Sequence, residues 1–332
     1  MITSTPATMR AVVQHRYGGP EVLELATVER PVVAEDGVLV RVHAASLNAV
    51  DWHVMRGRPF VARLTEGFRR PKRQIRGGDV AGVVEAVGSA VTTLRVGDEV
   101  FAAKGRALAE YVAGPARLFL PKPAGLSFEE AAAIPGAGVT ALQALRKGGV
   151  QPGHRVLVTG AGGGVGTFAV QLATALGAHV TATTSPSKVE LVGSLGAEHV
   201  LDYTRDDPAA AGPFDLVIDV SATQPFPELA RSMAPDGALV VVGPHKGDWI
   251  GAVRRPLAAA IRTRFGQRRF LPFLASAPRE DLETLAGLAA EGKLRPVIDR
   301  VLPLERTAEG MALVGSGQAR GKVVIAVAAG AR

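Results

Sequence analysis

Val156-Leu-Val-Thr-Gly160-Ala161-Gly162-Gly163-Gly164-Val165-Gly166-Thr167 stands where a short apolar run gives way to helical spacing over Gly166 to Leu176. Glycines at such a junction let the backbone turn tightly and approach a pyrophosphate. The first turn of the next helix then offers N–H groups and the positive end of its dipole to the anion. The spacing is Gly-x-Gly-x-x-Gly with Ala161 in the first slot. Ala161, Gly162, Gly163, Gly164, Val165 and Gly166 are therefore expected to line a dinucleotide phosphate site. A glycine-rich turn is a weak signal alone, and its surroundings strengthen it. His179 to Thr183 reads as a strand, Ser187 to Leu195 as a helix and Glu198 to Leu201 as a strand. Phe214 to Asp219 and Ala238 to Val242 are two more strands, with a helix near Phe226 to Met233 between them. Short apolar strands alternating with helices predict an α/β domain whose parallel sheet is covered on both faces.

The second of these strands selects the dinucleotide. In an NAD site a carboxylate at its end accepts hydrogen bonds from the adenosine ribose. Here it ends Thr183-Thr184-Ser185-Pro186-Ser187-Lys188, without an acid. Hydroxyls and an ammonium suit a 2′-phosphate that a carboxylate would repel. Thr184, Ser185 and Lys188 thus point to NADPH, with Tyr203 past the third strand as a further hydroxyl donor. The plainer alternative makes Lys188 an exposed helix lysine.

Upstream, Val12 to Ala113 is broken into short alternating segments, such as Val38 to His43 and Val80 to Val87, and reads as a barrel-like β domain. Ser127-Phe-Glu-Glu130 is a capping box opening an alanine-rich helix that ends near Pro135, and Val139 to Arg146 is a further helix. Arg279 to Glu291 has helical spacing; Pro296 to Val301 and Val323 to Val327 read as strands. At 332 residues two domains are expected. No cysteine is present, which excludes disulfides, thiolate chemistry and cysteine-based zinc sites. The polar amino terminus and the lack of a long apolar run favour a cytoplasmic protein without a membrane span. The net charge of +7 is concentrated in Arg56 to Arg76 and Lys246 to Arg269. These segments are either solvated arginine-rich loops or a surface for nucleic acid or acidic lipid.

Four stretches together resemble the medium-chain dehydrogenase/reductase superfamily, in its zinc-free quinone oxidoreductase (zeta-crystallin-like) branch. They are Ala44-Ala-Ser-Leu-Asn48-Ala-Val-Asp51-Trp, Gly78-Asp-Val-Ala-Gly82-Val-Val-Glu-Ala-Val-Gly88 with Gly97-Asp98, Gly138-Val-Thr140-Ala-Leu-Gln-Ala-Leu, and the glycine loop. Gly292-Lys-Leu-Arg-Pro-Val-Ile and Gly321-Lys322-Val-Val-Ile carry the likeness to the end of the chain. The resemblance implies a GroES-like β-rich catalytic domain over 1–125, a Rossmann doubly wound nucleotide-binding domain over 126–270, and a return to the catalytic domain over 271–332. Zinc members of the superfamily hold a catalytic metal with Cys, His and Cys at positions that fall here on Asn48, Gly78 and near Gly136. None is a tight zinc ligand, so no metal is expected. The chemistry implied is hydride transfer from NADPH to a quinone or an activated α,β-unsaturated carbonyl.

By the same resemblance, Asn48, Asp51 and Thr140 lie beside the nicotinamide, Gly243 lets backbone approach its carboxamide, and Lys322 reaches the cofactor. Asn48 and Asp51 could instead bridge turn backbone, and Lys322 could be a surface charge. His53, where the family often has lysine, is either a proton relay or an ordinary histidine. The basic segments, with Phe60, Trp249, Phe265 and Phe270, suggest a lid with Arg254 and Arg255 at its rim. The partners implied are a small-molecule acceptor and a second copy of the chain in a homodimer, with no nucleic acid. An enoyl reductase of one biosynthetic intermediate and a non-catalytic NADPH-sensing protein that binds nucleic acid or membranes remain as alternatives.

Overall fold

The computed structural model of the protein describes residues 8–60, 63–242 and 268–327. The chain forms two compact units, one of Met1–Gly136, Ala277–Ala290 and Ile298–Arg332, the other of Ala137–Ser276 and Glu291–Val297.

The first unit opens with an antiparallel pair, β1 (Thr8–Gln14) and β2 (Leu23–Glu29). The alternating segments after it become β3 (Gly37–Leu47), β4 (Asp79–Val87), β5 (Glu99–Ala103), β6 (Tyr111–Pro115) and β7 (Leu120–Pro121). Antiparallel pairing runs β3-β4-β5-β7, with β6 also on β3. Period-two patterning sends Val38, Val40 and Val42 of β3 into one core with Val80, Val84 and Val100, all sealed from solvent. Each such side chain contributes about 1.5–3 kcal/mol on burial. The predicted capping box is present: Glu130 N–H donates to Ser127 Oγ and Ser127 N–H to the Glu130 carboxylate.

In the second unit the alternating runs become β8 (Arg155–Thr159), β9 (His179–Thr184), β10 (His199–Asp202), β11 (Phe214–Asp219), β12 (Met233–Val241) and β13 (Arg269–Pro272). They form a six-stranded sheet in the order β10-β9-β8-β11-β12-β13, every pairing parallel. Strand order therefore reverses between β8 and β11, as in doubly wound folds. Leu157, Phe214, Val217, Leu229, Met233, Leu239 and Phe270 form a core here. Phe270 is thus a buried residue of β13 and not a lid wall. Its neighbours Arg268 and Arg269 donate to backbone carbonyls of Met233, Ala234 and Gly148. Trp249, Arg254, Arg255, Phe265 and Gly243 lie outside the described residues.

The chain then returns to the first unit. β14 (Ile298–Pro303) pairs parallel with β15 (Lys322–Ala326), and β15 pairs antiparallel with the end of β3, Val323 opposite Leu47. Among the described residues no helix is long and apolar enough to cross a membrane.

Candidate active site

The glycine loop turns through Gly160, whose φ of +65° only glycine adopts freely, and Ala161 N–H ties it to the Thr183 carbonyl (3.1 Å). Gly163 caps the helix Gly164–Ala175, so no cap side chain occupies the first-turn N–H groups that an anion needs. A Cβ on Gly166 would lie 2.3 Å from the Gly160 carbonyl oxygen, so the helix can start this close to the loop only without one. On Gly162 it would lie 2.6 Å from Lys188 Cδ and 2.7 Å from Thr184 Oγ1. Gly162, Thr184 and Lys188 therefore border one another.

Lys188 is 8% exposed, which removes the alternative of a surface lysine. Ser185 Oγ sits 3.4 Å from Ser187 Oγ, and Tyr203 N–H donates to the Thr184 carbonyl at 3.2 Å while its side chain is largely exposed. Asp202 pairs in register with Thr184 and is an acid near the end of β9 that a linear reading passes over. Its carboxylate is turned onto its own loop, accepting from Thr204 N–H (3.0 Å), Thr204 Oγ1 (2.8 Å) and Arg205 Nε (3.0 Å).

Sequence reasoning missed a cluster at the strand reversal. Asp219 Oδ1, wholly buried, accepts from Thr159 Oγ1 (2.7 Å), Ala222 N–H (3.0 Å) and Ser221 Oγ (3.4 Å). Ligands of parallel sheets bind beside such reversals. The available signal was Asp219-Val-Ser221 at a strand's carboxyl end.

In the first unit, three adjacent strands bring a second polar group together. Ser46 and Leu47 close β3, Asp79 opens β4 opposite Ser46, and Lys322 opens β15. Asp79 Oδ2 accepts from Ser46 Oγ (3.0 Å) and Asn48 Nδ2 (2.9 Å), while its Oδ1 accepts from Gly136 N–H (3.0 Å). Lys322 Nζ donates to Asn48 Oδ1 (2.5 Å) and the Leu47 carbonyl (3.1 Å), with Asp79 Oδ2 at 3.8 Å. Lys322 is only 2% exposed, so it is no surface charge.

Asn48 also caps the helix Ala49–Arg56, its N–H donating to Asp51 Oδ2 at 2.9 Å. Asp51 does bridge turn backbone, the plainer of its two expected roles, and does so buried. Burial pushes its carboxyl up to about 6, helped by nearby Asp79 and opposed by the Asn48 N–H, Lys322 and Arg76. Burial likewise lowers the Lys322 ammonium, against the attraction of Asp79 and Asp51. His53, in the last turn of the same helix, is pushed below its usual range by burial and then by Arg56.

Positions 48, 78 and 136 converge. A Cβ on Gly78 would lie 3.5 Å from Asn48 Nδ2, and one on Gly136 would lie 3.1 Å from it and 3.0 Å from Asp79 Oδ2. Thr140, in the helix Pro135–Gly148, belongs to the second unit. Arg76, from the first basic segment, is a buried structural residue, donating to Glu66 (3.0 Å) and Gln14 (3.0 Å).

Residues 34–143 match the family model described as alcohol dehydrogenase GroES-like domain, and residues 195–325 the one described as zinc-binding dehydrogenase. The chain is 34% identical to the chloroplast envelope quinone oxidoreductase homolog of Arabidopsis thaliana, over 96% of this chain and 98% of that protein. It is 37% identical to 2-methylene-furan-3-one reductase of Solanum lycopersicum, over 97% of this chain and 80% of the relative. The solved quinone oxidoreductase from Coxiella burnetii superposes with a TM-score of 0.86 at 31% identity, covering 97% of this chain and 100% of that one. The chain belongs to the medium-chain dehydrogenase/reductase superfamily. Its place is the quinone oxidoreductase-like branch, and it is an oxidoreductase. Residues 48, 78 and 136, an amide and two glycines, are thus gathered in one place in the first unit.

Proposed function

We propose that the protein is an NADPH-dependent reductase of quinones or activated α,β-unsaturated carbonyls that works without a catalytic metal. The observation that carries this reading is the neighbourhood of Asn48, where an amide, two glycines and a buried ammonium meet. That donor set does not fit zinc, since it lacks thiolate and imidazole and brings a positive charge to the spot. Without a Lewis acid, acceptors that take a hydride readily are favoured over unactivated alcohols and ketones.

The second unit's residues fit a phosphorylated dinucleotide. The Gly160–Gly166 loop and the helix after it supply room and N–H groups for the pyrophosphate, and Thr184, Ser185 and Lys188 suit a 2′-phosphate. When bound, NADPH supplies a hydride. An enone that accepted this hydride at its β-carbon would collect negative charge on its carbonyl oxygen as the carbon–carbon π electrons moved toward it. Asn48 then serves as hydrogen-bond donor to that oxygen, and a proton from solvent completes the reduction. Lys322, its ammonium occupied inside the first unit, acts in this reading on Asn48 and not on the cofactor. The names of the relatives, a quinone oxidoreductase homolog and a furanone reductase, support both acceptor classes. Of the basic segments, Arg76, Arg268 and Arg269 are engaged in internal hydrogen bonds, whereas Arg69, Arg70, Lys72 and Arg73 are exposed.

The test is NADPH oxidation with a panel of quinones and conjugated enones, before and after treatment with a strong zinc chelator. Turnover of at least one class, unaltered by chelation, is expected. Absence of NADPH oxidation with every acceptor, or loss of activity restored by zinc, overturns the proposal.

A further inference from the structure

Ser46, Asp51, Asp79 and Lys322 are each at most 7% exposed, whereas Asn48 is only partly buried. Within this cluster, Asn48 is the member through which the buried charges can reach a ligand. Its amide is oriented so that Oδ1 accepts from Lys322 Nζ and Nδ2 donates to Asp79 Oδ2. An amide nitrogen carries two protons. One goes to Asp79, and the other has no partner among the described residues.

Resonance couples the two ends of an amide. A cation donating to the oxygen draws density from the nitrogen and makes its N–H a stronger donor, an effect that is larger where water is excluded. Tertiary structure supplies that cation from 274 residues away in sequence.

We infer that Lys322 is a polarising residue: its ammonium, anchored by the Leu47 carbonyl and Asp79, charges the Asn48 amide so that the second Nδ2–H binds the acceptor oxygen on which negative charge develops. A buried positive charge thus acts one amide away from the reacting atom, where a metal would act by contact. Lys322 and Asp79 touch neither substrate nor cofactor in this scheme; Asn48 is the catalytic donor. The inference rests on the reading of the protein as a reductase.

The test uses full-length enzyme carrying Lys322→Met, the charge-free pair Lys322→Met/Asp79→Asn, Asn48→Ala, and Asn48→Ala combined with the charge-free pair. The single lysine variant leaves a buried carboxylate unpaired and can fail to fold, so the charge-free pair, verified by circular dichroism, carries the argument. Its kcat should fall on the order of 10- to 100-fold, less than the roughly 100- to 1000-fold typical of deleting an oxyanion donor outright. NADPH affinity should be unchanged, and the loss should be steeper for acceptors with electron-rich carbonyls. Adding Asn48→Ala to the pair should cost far less than it does in wild type, since the two changes remove one interaction.

Independently of turnover, the side-chain amide protons of Asn48 should move upfield in the NMR spectrum of the charge-free pair. An active wild type whose folded charge-free pair keeps its kcat overturns the inference. Lost NADPH affinity with kcat retained also overturns it and makes Lys322 a cofactor ligand. A wild type that reduces no acceptor defeats the reductase reading instead, and the Asn48 resonances then decide the polarisation: unmoved, they overturn it.

Discussion

Replacing Asp51 by asparagine should alter how stability depends on pH, by an amount the structure sets. The Asp51 carboxyl is buried at the first turn of the helix Ala49–Arg56, and burial lifts it from the ordinary 3.8 to about 6. A folded state that holds its proton more tightly than the unfolded chain gains stability at low pH. That gain is fully present below 3.8 and is lost as pH rises through about 6. At 1.36 kcal/mol per pH unit, the gap is worth about 3 kcal/mol. Asparagine keeps an oxygen to accept the Asn48 N–H but carries no titrating proton.

The stability of Asp51→Asn relative to wild type should therefore rise by about 2.4 kcal/mol between roughly pH 4 and pH 7. Urea unfolding of both proteins across that range measures the difference, in which the other carboxylates cancel. Carbon-13 NMR of the Asp51 carboxyl gives its titration directly. A difference constant to within about 0.5 kcal/mol, or an Asp51 carboxyl that titrates in the usual carboxylate range, refutes the reasoning.

Three further outcomes are expected. Lys188→Glu should weaken NADPH about 10- to 100-fold and leave NADH nearly unaffected, measured by calorimetry with each dinucleotide, because the proposed 2′-phosphate site would exchange a charge-assisted donor for a repelling carboxylate. Gly162→Ala places a methyl 2.6 Å from Lys188 Cδ and 2.7 Å from Thr184 Oγ1, so it should raise the dissociation constant of NADPH while the first unit's thermal behaviour is unchanged. Gly315→Ala, in the helix Thr307–Ser316, puts its methyl 2.6 Å from the Trp52 ring. Overpacking of this kind costs about 1–3 kcal/mol, visible as a lower melting temperature, and because Trp52 lies on the Asn48-capped helix kcat should drop as well.

Much of the fold could be read along the chain because its determinants are local. Phe214–Asp219 is an apolar run of strand length, Ser127 to Glu130 is a complete capping box, and the glycine loop sits between strand and helix. The return of the carboxy-terminal strands was legible only through resemblance, since nothing local in Lys322–Ala326 says which strand it will pair with. The lid suggestion failed at Phe270 for a related reason. An aromatic residue beside arginines suits a surface cleft, but parallel pairing of β13 with β12 takes that ring into the core.

Sequence by itself determined the α/β alternation, the glycine turn between strand and helix, the missing acid after Thr183 and the lack of cysteine, because backbone period, glycine freedom and donor chemistry are properties of residues and their near neighbours. Tertiary structure decided what surrounds Asn48. Lys322, Asp79 and Gly136 meet it only because β15, β3 and β4 pair side by side and the helix Pro135–Gly148 begins against Asp79. Charge reaches across such pairings through space and low dielectric, and neither quantity is written in the order of the residues.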